Sequence, residues 1–231
     1  MTQQPETDKR NLLWLWIGLA VVIVLAAGVA ISTSGDDAEL SVGSVPASVG
    51  SDGSGGAVEP AEVWPVTVTG AALPGLEDSA DDPAVGRPAP QLSGSTFDGS
   101  PVTVDPSKGP VMLVFLAHWC PHCNREVPEL LAWDAAGEVP EGLQVIAVTT
   151  AVDPKRDFYP PSEWIADKQW DWPVLADSQD NDAAAAMGVT GFPFSVLIGA
   201  DGTVLGRISG ELGQAGIDEW VGATLSASAT N

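Results

Sequence analysis

In 231 positions the sequence has only two cysteines, two histidines and nine basic residues. Two cysteines three positions apart cannot staple a small secreted fold, which would need several spaced pairs. Cys120 and Cys123 are therefore either redox-active or metal ligands. A structural zinc site takes four ligands, usually from two separated pairs. The only histidines, His118 and His122, lie in the same six-residue segment as the cysteines. So short a stretch cannot wrap four ligands tetrahedrally around one ion, and neither a metal nor a cofactor is expected. Basic residues are outnumbered by 31 acidic ones, giving a net charge of −22. That argues against nucleic acid as a partner, since binding it takes a basic stripe to replace phosphate counterions. The acidity reads as a solubilising surface.

One long apolar run is present. Residues 12–31 carry no charged side chain and match the roughly 20 residues a helix needs to cross a bilayer. Lys9 and Arg10 precede the run, and Asp36, Asp37 and Glu39 follow it. The positive-inside rule then puts residues 1–11 in the cytoplasm and the rest outside, as a single-pass cell-membrane protein. Trp14 and Trp16 fall near the inner interface. The competing reading is a cleaved signal peptide, with Gly28 and Ala30 near the cut. No cysteine follows the run, so a lipoprotein is excluded. Residues 32–83 are rich in Gly, Ser, Ala, Asp and Pro and read as a flexible extracytoplasmic linker. Alternation over residues 63–69 suggests one short strand there.

From residue 84 to 231 the pattern is that of a folded domain. Residues 111–117 form an apolar run that reads as a buried central strand. Helical spacing follows over 124–136, with a kink expected at Pro128. A second buried strand spans 143–149, and helices are expected over 161–170 and 182–187. A third strand covers 194–198. The Asp201-Gly202 pair turns it back into an antiparallel strand over 204–208, and a helix over 217–225 closes the chain. Such an order predicts an α/β fold with a central mixed sheet and helices on both faces.

Cys120 and Cys123 sit where the first strand gives way to the first helix. A helix start offers unpaired N–H groups and a positive dipole end, which favour thiolate over thiol. Cys120 is therefore the expected nucleophile and the more exposed of the two. Cys123, one turn on, is placed to resolve a mixed disulfide. Pro121 at the first helical position costs no hydrogen bond. His122, as a cation or donor beside Cys120, would stabilise its thiolate and make the disulfide more oxidising. His118 reads as a strand-end residue.

The segment Trp119-Cys120-Pro121-His122-Cys123, with Pro128 and Gly191-Phe192-Pro193 downstream, resembles a thioredoxin-like protein. Gly86-Arg87-Pro88-Ala89-Pro90, Phe97-Asp98-Gly99 and Cys123-Asn124-Arg125-Glu126-Val127-Pro128 resemble the TlpA/ResA-like membrane-anchored thioredoxins (redoxin, AhpC/TSA-like) in particular. The resemblance implies that Pro193 is cis and faces the disulfide, with Trp119 and Phe192 as an apolar surface for substrate peptide. It also implies that Glu126 lies near the active site. Two features depart from it. Val114 stands where thioredoxins proper have a buried aspartate, which leaves Glu126 or water to move the Cys123 proton. The Pro-His dipeptide between the cysteines is DsbA-like. The expected activity is thiol–disulfide exchange with extracytoplasmic proteins, favouring oxidation and recycled by a membrane or secreted redox partner. A reductase of the same fold, as in cytochrome c maturation, is the alternative. A peroxide-reducing redoxin or a metal- or haem-handling thiol chaperone ranks lower, since Ala117 stands where a peroxidatic frame has Thr or Ser.

Overall fold

The computed structural model describes residues 61–228. The expected membrane helix over residues 12–31, and the tether up to residue 60, lie outside the described residues. Among the described residues no helix is long and apolar enough to cross a membrane.

The strands are β1 (Thr67–Thr69), β2 (Gln91–Ser95), β3 (Pro101–Thr103), β4 (Val111–Leu116), β5 (Gln144–Thr149), β6 (Val174–Ala176), β7 (Phe194–Ile198) and β8 (Val204–Ser209). The helices are α1 (Pro121–Ala135), α2 (Pro161–Asp167), α3 (Asp182–Met187) and α4 (Gly213–Ser228). The expected central strand is β4, and all six of its residues are buried. An apolar run without polar alternation is what a strand covered on both faces requires. β4 pairs parallel with β5 and antiparallel with β7. The sheet order is β1-β2-β6-β5-β4-β7-β8, with β3 on β2.

Because side chains alternate across a strand, β4 feeds two cores. Leu113 and Phe115 join β7 residues Phe194 and Val196, Met187 of α3, and Leu73 and Leu76. Met112, Val114 and Leu116 face the other way, onto Val127, Leu130 and Trp133 of α1, Trp164 and Ile165 of α2, and Ile217 and Val221 of α4. Both cysteines belong to this second core. Helices thus cover both faces, as expected. The short strands β2, β3 and β6 were not expected. Each has three to five residues, too few to show a period.

Pro128 does not end α1, which runs through it to Ala135. Proline has no N–H to give the carbonyl four residues back. That carbonyl, of Asn124, instead accepts Lys168 Nζ at 3.4 Å. The second helix stops three residues short of the expected Trp170. Gln169 takes a left-handed φ of 60° and turns the chain, which leaves Trp170 buried.

Residues 61–83 correct the expected linker boundary, because they pack against the domain. Leu73 N and Leu76 N donate to Ala186 O and Gly188 O, and both leucines are buried. Asp82 forms a fully buried ion pair with Arg207 of β8, at 2.8 Å from Nε and 2.5 Å from Nη2. Arg207 Nη1 donates to Pro74 O and Met187 O. Gly188 closes this knot with φ +69°, and a Cβ there would lie 2.2 Å from Pro74 O. The linker-like composition hides this segment because its anchors are two leucines and one carboxylate whose partner lies 125 positions away.

Candidate active site

The turn after β4 delivers Cys120 to the N-cap of α1 with extended backbone (φ −76°, ψ 122°), and Pro121 opens the helix. Asn124 holds this turn. Its Nδ2 donates to His118 O (3.0 Å) and Cys120 O (3.1 Å), and its Oδ1 accepts Trp164 Nε1 from α2 (2.9 Å). Cys120 keeps 6% of its surface exposed and Cys123 none. The two cysteines are unpaired. Their difference in access is the one expected for a nucleophile and a resolving thiol.

Phe192-Pro193 is a cis peptide, and it lies against the motif. Cys120 Sγ donates to Phe192 O at 3.5 Å. The Phe192 ring meets Trp119 edge-on, with centroids 6.2 Å apart. Trp119 Nε1 donates to Ala151 O (2.8 Å), and Arg156 stacks 4.1 Å from the Trp119 ring centroid. The sheet therefore brings Trp119, Cys120, Phe192 and Pro193 together, although 72 positions separate Cys120 from Phe192.

Burial pushes the Cys123 thiol well above the ordinary thiol range. Cys120 and the Glu126 carboxylate add to the shift, and a hydrogen bond with the Ala117 backbone opposes it. Val114, in the place of a buried acid, is apolar and fully buried, so it offers Cys123 no proton partner. Glu126 is 3% exposed, and burial raises its carboxyl too. That carboxylate accepts Leu212 N (3.0 Å) and Gly213 N (3.0 Å) at the start of α4. Glu129 accepts the next N–H, from Gln214. Two acids one turn apart on α1 thus satisfy the unpaired N–H groups of α4.

His122 departs from expectation. It is exposed and makes no hydrogen bond to Cys120. Its Nδ1 lies 3.0 Å from Glu211 Oε2 and 2.9 Å from Arg125 Nη2. Arg125 also grips Glu211 directly, at 2.7 Å from Nη2 and 3.0 Å from Nε. The His122 hydrogen-bond partners Glu211 and Arg125 lie on the outer side of the motif, and the ring turns toward them. Glu211 and Arg125 were missed by sequence reasoning: 86 positions separate them, and no local pattern links them. His118 is buried; Nδ1 donates to Asp157 O (2.8 Å) and Nε2 accepts from Asp153 N (3.3 Å). It ties the motif to the 151–160 loop. Among the described residues no cluster of three or more His, Cys, Asp or Glu could hold a metal ion.

A two-faced α/β sheet with a Cys-x-x-Cys pair at the start of a helix, opposite a cis-proline, defines a thioredoxin-like oxidoreductase. Residues 85–206 match the AhpC/TSA family, and the chain belongs to that family. Solved structures agree. A protein described as a candidate thiol:disulfide interchange protein DsbE from Chlorobium tepidum is 26% identical, with a TM-score of 0.50, covering 62% of this chain and 96% of its own. A candidate thioredoxin from Neisseria meningitidis is 25% identical, with a TM-score of 0.51, covering 62% and 93%. No curated protein matches the chain. The chain is an enzyme of the thiol–disulfide oxidoreductase class.

Proposed function

We propose that this protein exchanges disulfides with extracytoplasmic protein substrates from a single-pass membrane anchor, through Cys120 and Cys123. The observation that carries the reading is the asymmetry of the pair. Cys120 sits at a helix start against the Phe192 carbonyl, while Cys123 is buried and holds its proton. In the oxidising direction a client thiolate attacks Cys120 of the protein disulfide. The Cys120–Cys123 bond breaks, and Cys123 leaves as a thiolate that takes up a proton. A second client thiolate then attacks the client sulfur of the mixed disulfide and releases Cys120. The client loses two electrons and the protein gains them. Glu126, its carboxyl raised by burial, is the proton source for Cys123. Trp119, Phe192 and Pro193 form the client-facing wall.

The oxidising direction rests on the Pro-His dipeptide and on an outward-facing domain. The reductase reading gains from one observation: His122 is bonded to Glu211 and Arg125 rather than to Cys120. Trapping tests the roles. Cys123→Ala should accumulate mixed disulfides with clients and Cys120→Ala should accumulate few; equal trapping overturns the assignment. Equilibration of the full-length chain in glutathione buffers tests direction. A potential above about −200 mV supports an oxidant, and one near about −270 mV a reductase.

A further inference from the structure

Glu211 lies in the loop between β8 and α4, at the edge of an open groove of about 930 Å³ lined by His122, Arg125, Phe192 and Gly210. Its carboxylate takes three contacts from Arg125 and one from His122. A single Nδ1 cannot both donate to Glu211 and accept from Arg125. With a proton on Nδ1, His122 donates to Glu211; without one, it accepts from Arg125. Either way the three side chains form a closed cluster on the first turns of α1, beside Cys120.

Other charges near the pair are already engaged. Glu126 and Glu129 hold the N–H groups of α4, and Arg156 lies over Trp119. Arg125 and Cys120 are close enough that a charged Cys120 favours the guanidinium. Glu211 itself is held below the usual carboxylate range, first by Arg125 and then by His122, so at neutral pH it is an anion within this cluster.

We propose that Glu211 is a positioning residue that sets the redox poise of the pair by drawing His122 and Arg125 away from the Cys120 thiolate. This inference rests on the exchange reading above. Reduction by glutathione breaks the Cys120–Cys123 bond and converts two glutathione thiols into one glutathione disulfide. Of the two glutathione protons one goes to Cys123 and the other to solvent, which leaves Cys120 as the thiolate. Cations that reach that thiolate stabilise the reduced protein and make the disulfide more oxidising. A carboxylate bonded to Arg125 and His122 cancels much of the guanidinium's field, holds the imidazole outward and adds its own negative charge. The Cys-Pro-His-Cys segment is thereby made less oxidising than its own residues dictate.

The test is the glutathione equilibrium of the full-length chain, in detergent, with Glu211→Gln and Arg125→Met. Glu211→Gln removes an anion and releases Arg125 and His122 from it. The equilibrium constant for reduction should rise about tenfold, equivalent to about 30 mV. Arg125→Met leaves Glu211 less compensated, so the constant should fall by severalfold. Opposite signs are the signature, because a clamp with only a structural role would loosen in both variants and move both the same way. Shifts of equal sign, or no shift in Glu211→Gln, overturn the inference. Should Glu211→Gln not fold, a rise or no change in Arg125→Met overturns it. A parent chain that does not exchange with glutathione at all is a different failure, and it removes the exchange reading itself.

Discussion

Burial raises both the Cys123 thiol and the Glu126 carboxyl, and the Glu126 charge adds to the rise at Cys123. A buried thiol that keeps its proton is slow to attack a mixed disulfide until something takes that proton, and with Cys120 tied up in the mixed disulfide Glu126 is the remaining ionisable group whose charge reaches it. Glu126→Gln should slow resolution of mixed disulfides at neutral pH by about 10²-fold, the lower end for losing a general acid or base. Stopped-flow release from a trapped peptide would measure it; an unchanged rate would leave the proton transfer to water. The same residue links stability to pH. Its folded-state carboxyl titrates above the unfolded value of about 4.3. The stability it contributes is therefore complete below that value and is lost as pH rises through the raised one. Relative to the parent, the urea midpoint of Glu126→Gln should therefore gain more at about pH 7 than at about pH 4. An equal or opposite change would contradict the assignment.

At the scale of elements, the N-terminal segment and the β8 edge are joined by a side-chain pair rather than by a strand. Burial alone would raise the Asp82 carboxyl, but Arg207 and the Ala84 N–H together bring it below its ordinary value. A lowered carboxyl contributes stability above the unfolded value of about 3.9, lost as pH falls through the folded one. Asp82→Ala leaves Arg207 buried without its counter-ion, which costs about 3–5 kcal/mol. Equilibrium unfolding should show that loss, together with faster proteolysis within residues 61–83. A loss under about 1 kcal/mol would mean that the guanidinium finds water or another acid. The first helix shows a related economy of contacts. Pro128 frees the Asn124 carbonyl, Lys168 takes it, and the Asn124 amide holds the cysteine turn. A helix-breaking residue is tolerated because a neighbouring element supplies the missing donor.

At the scale of the whole molecule, a strongly acidic domain follows an uncharged 20-residue stretch with lysine and arginine before it. A reporter fused to the C-terminus should be accessible from outside intact cells and stay with membranes after alkaline wash. A soluble, shortened product would show that residues 12–31 are a cleaved signal instead. Much of the domain was legible in the order of residues. The apolar run of β4, the spacing of Val127, Leu130 and Trp133, and the Asp201-Gly202 turn are patterns made by neighbours along the chain. The cysteine pair at a strand-to-helix junction is another such pattern, so the order of the main elements and the place of the pair could be read directly. The short strands β2, β3 and β6 could not, because their pairing comes from the sheet and not from a period of their own. The tertiary structure also decided the surroundings of the cysteines. It brought Phe192 to Cys120, turned Glu126 inward onto the first N–H groups of α4, and carried Glu211 to His122 and Arg125 from beyond the end of β8. Those contacts depend on strand register and on the path of a loop, which place residues more than 70 positions apart within hydrogen-bond distance. No local propensity encodes such a distance, so the cysteine pair was readable from sequence while the charged groups around it were not.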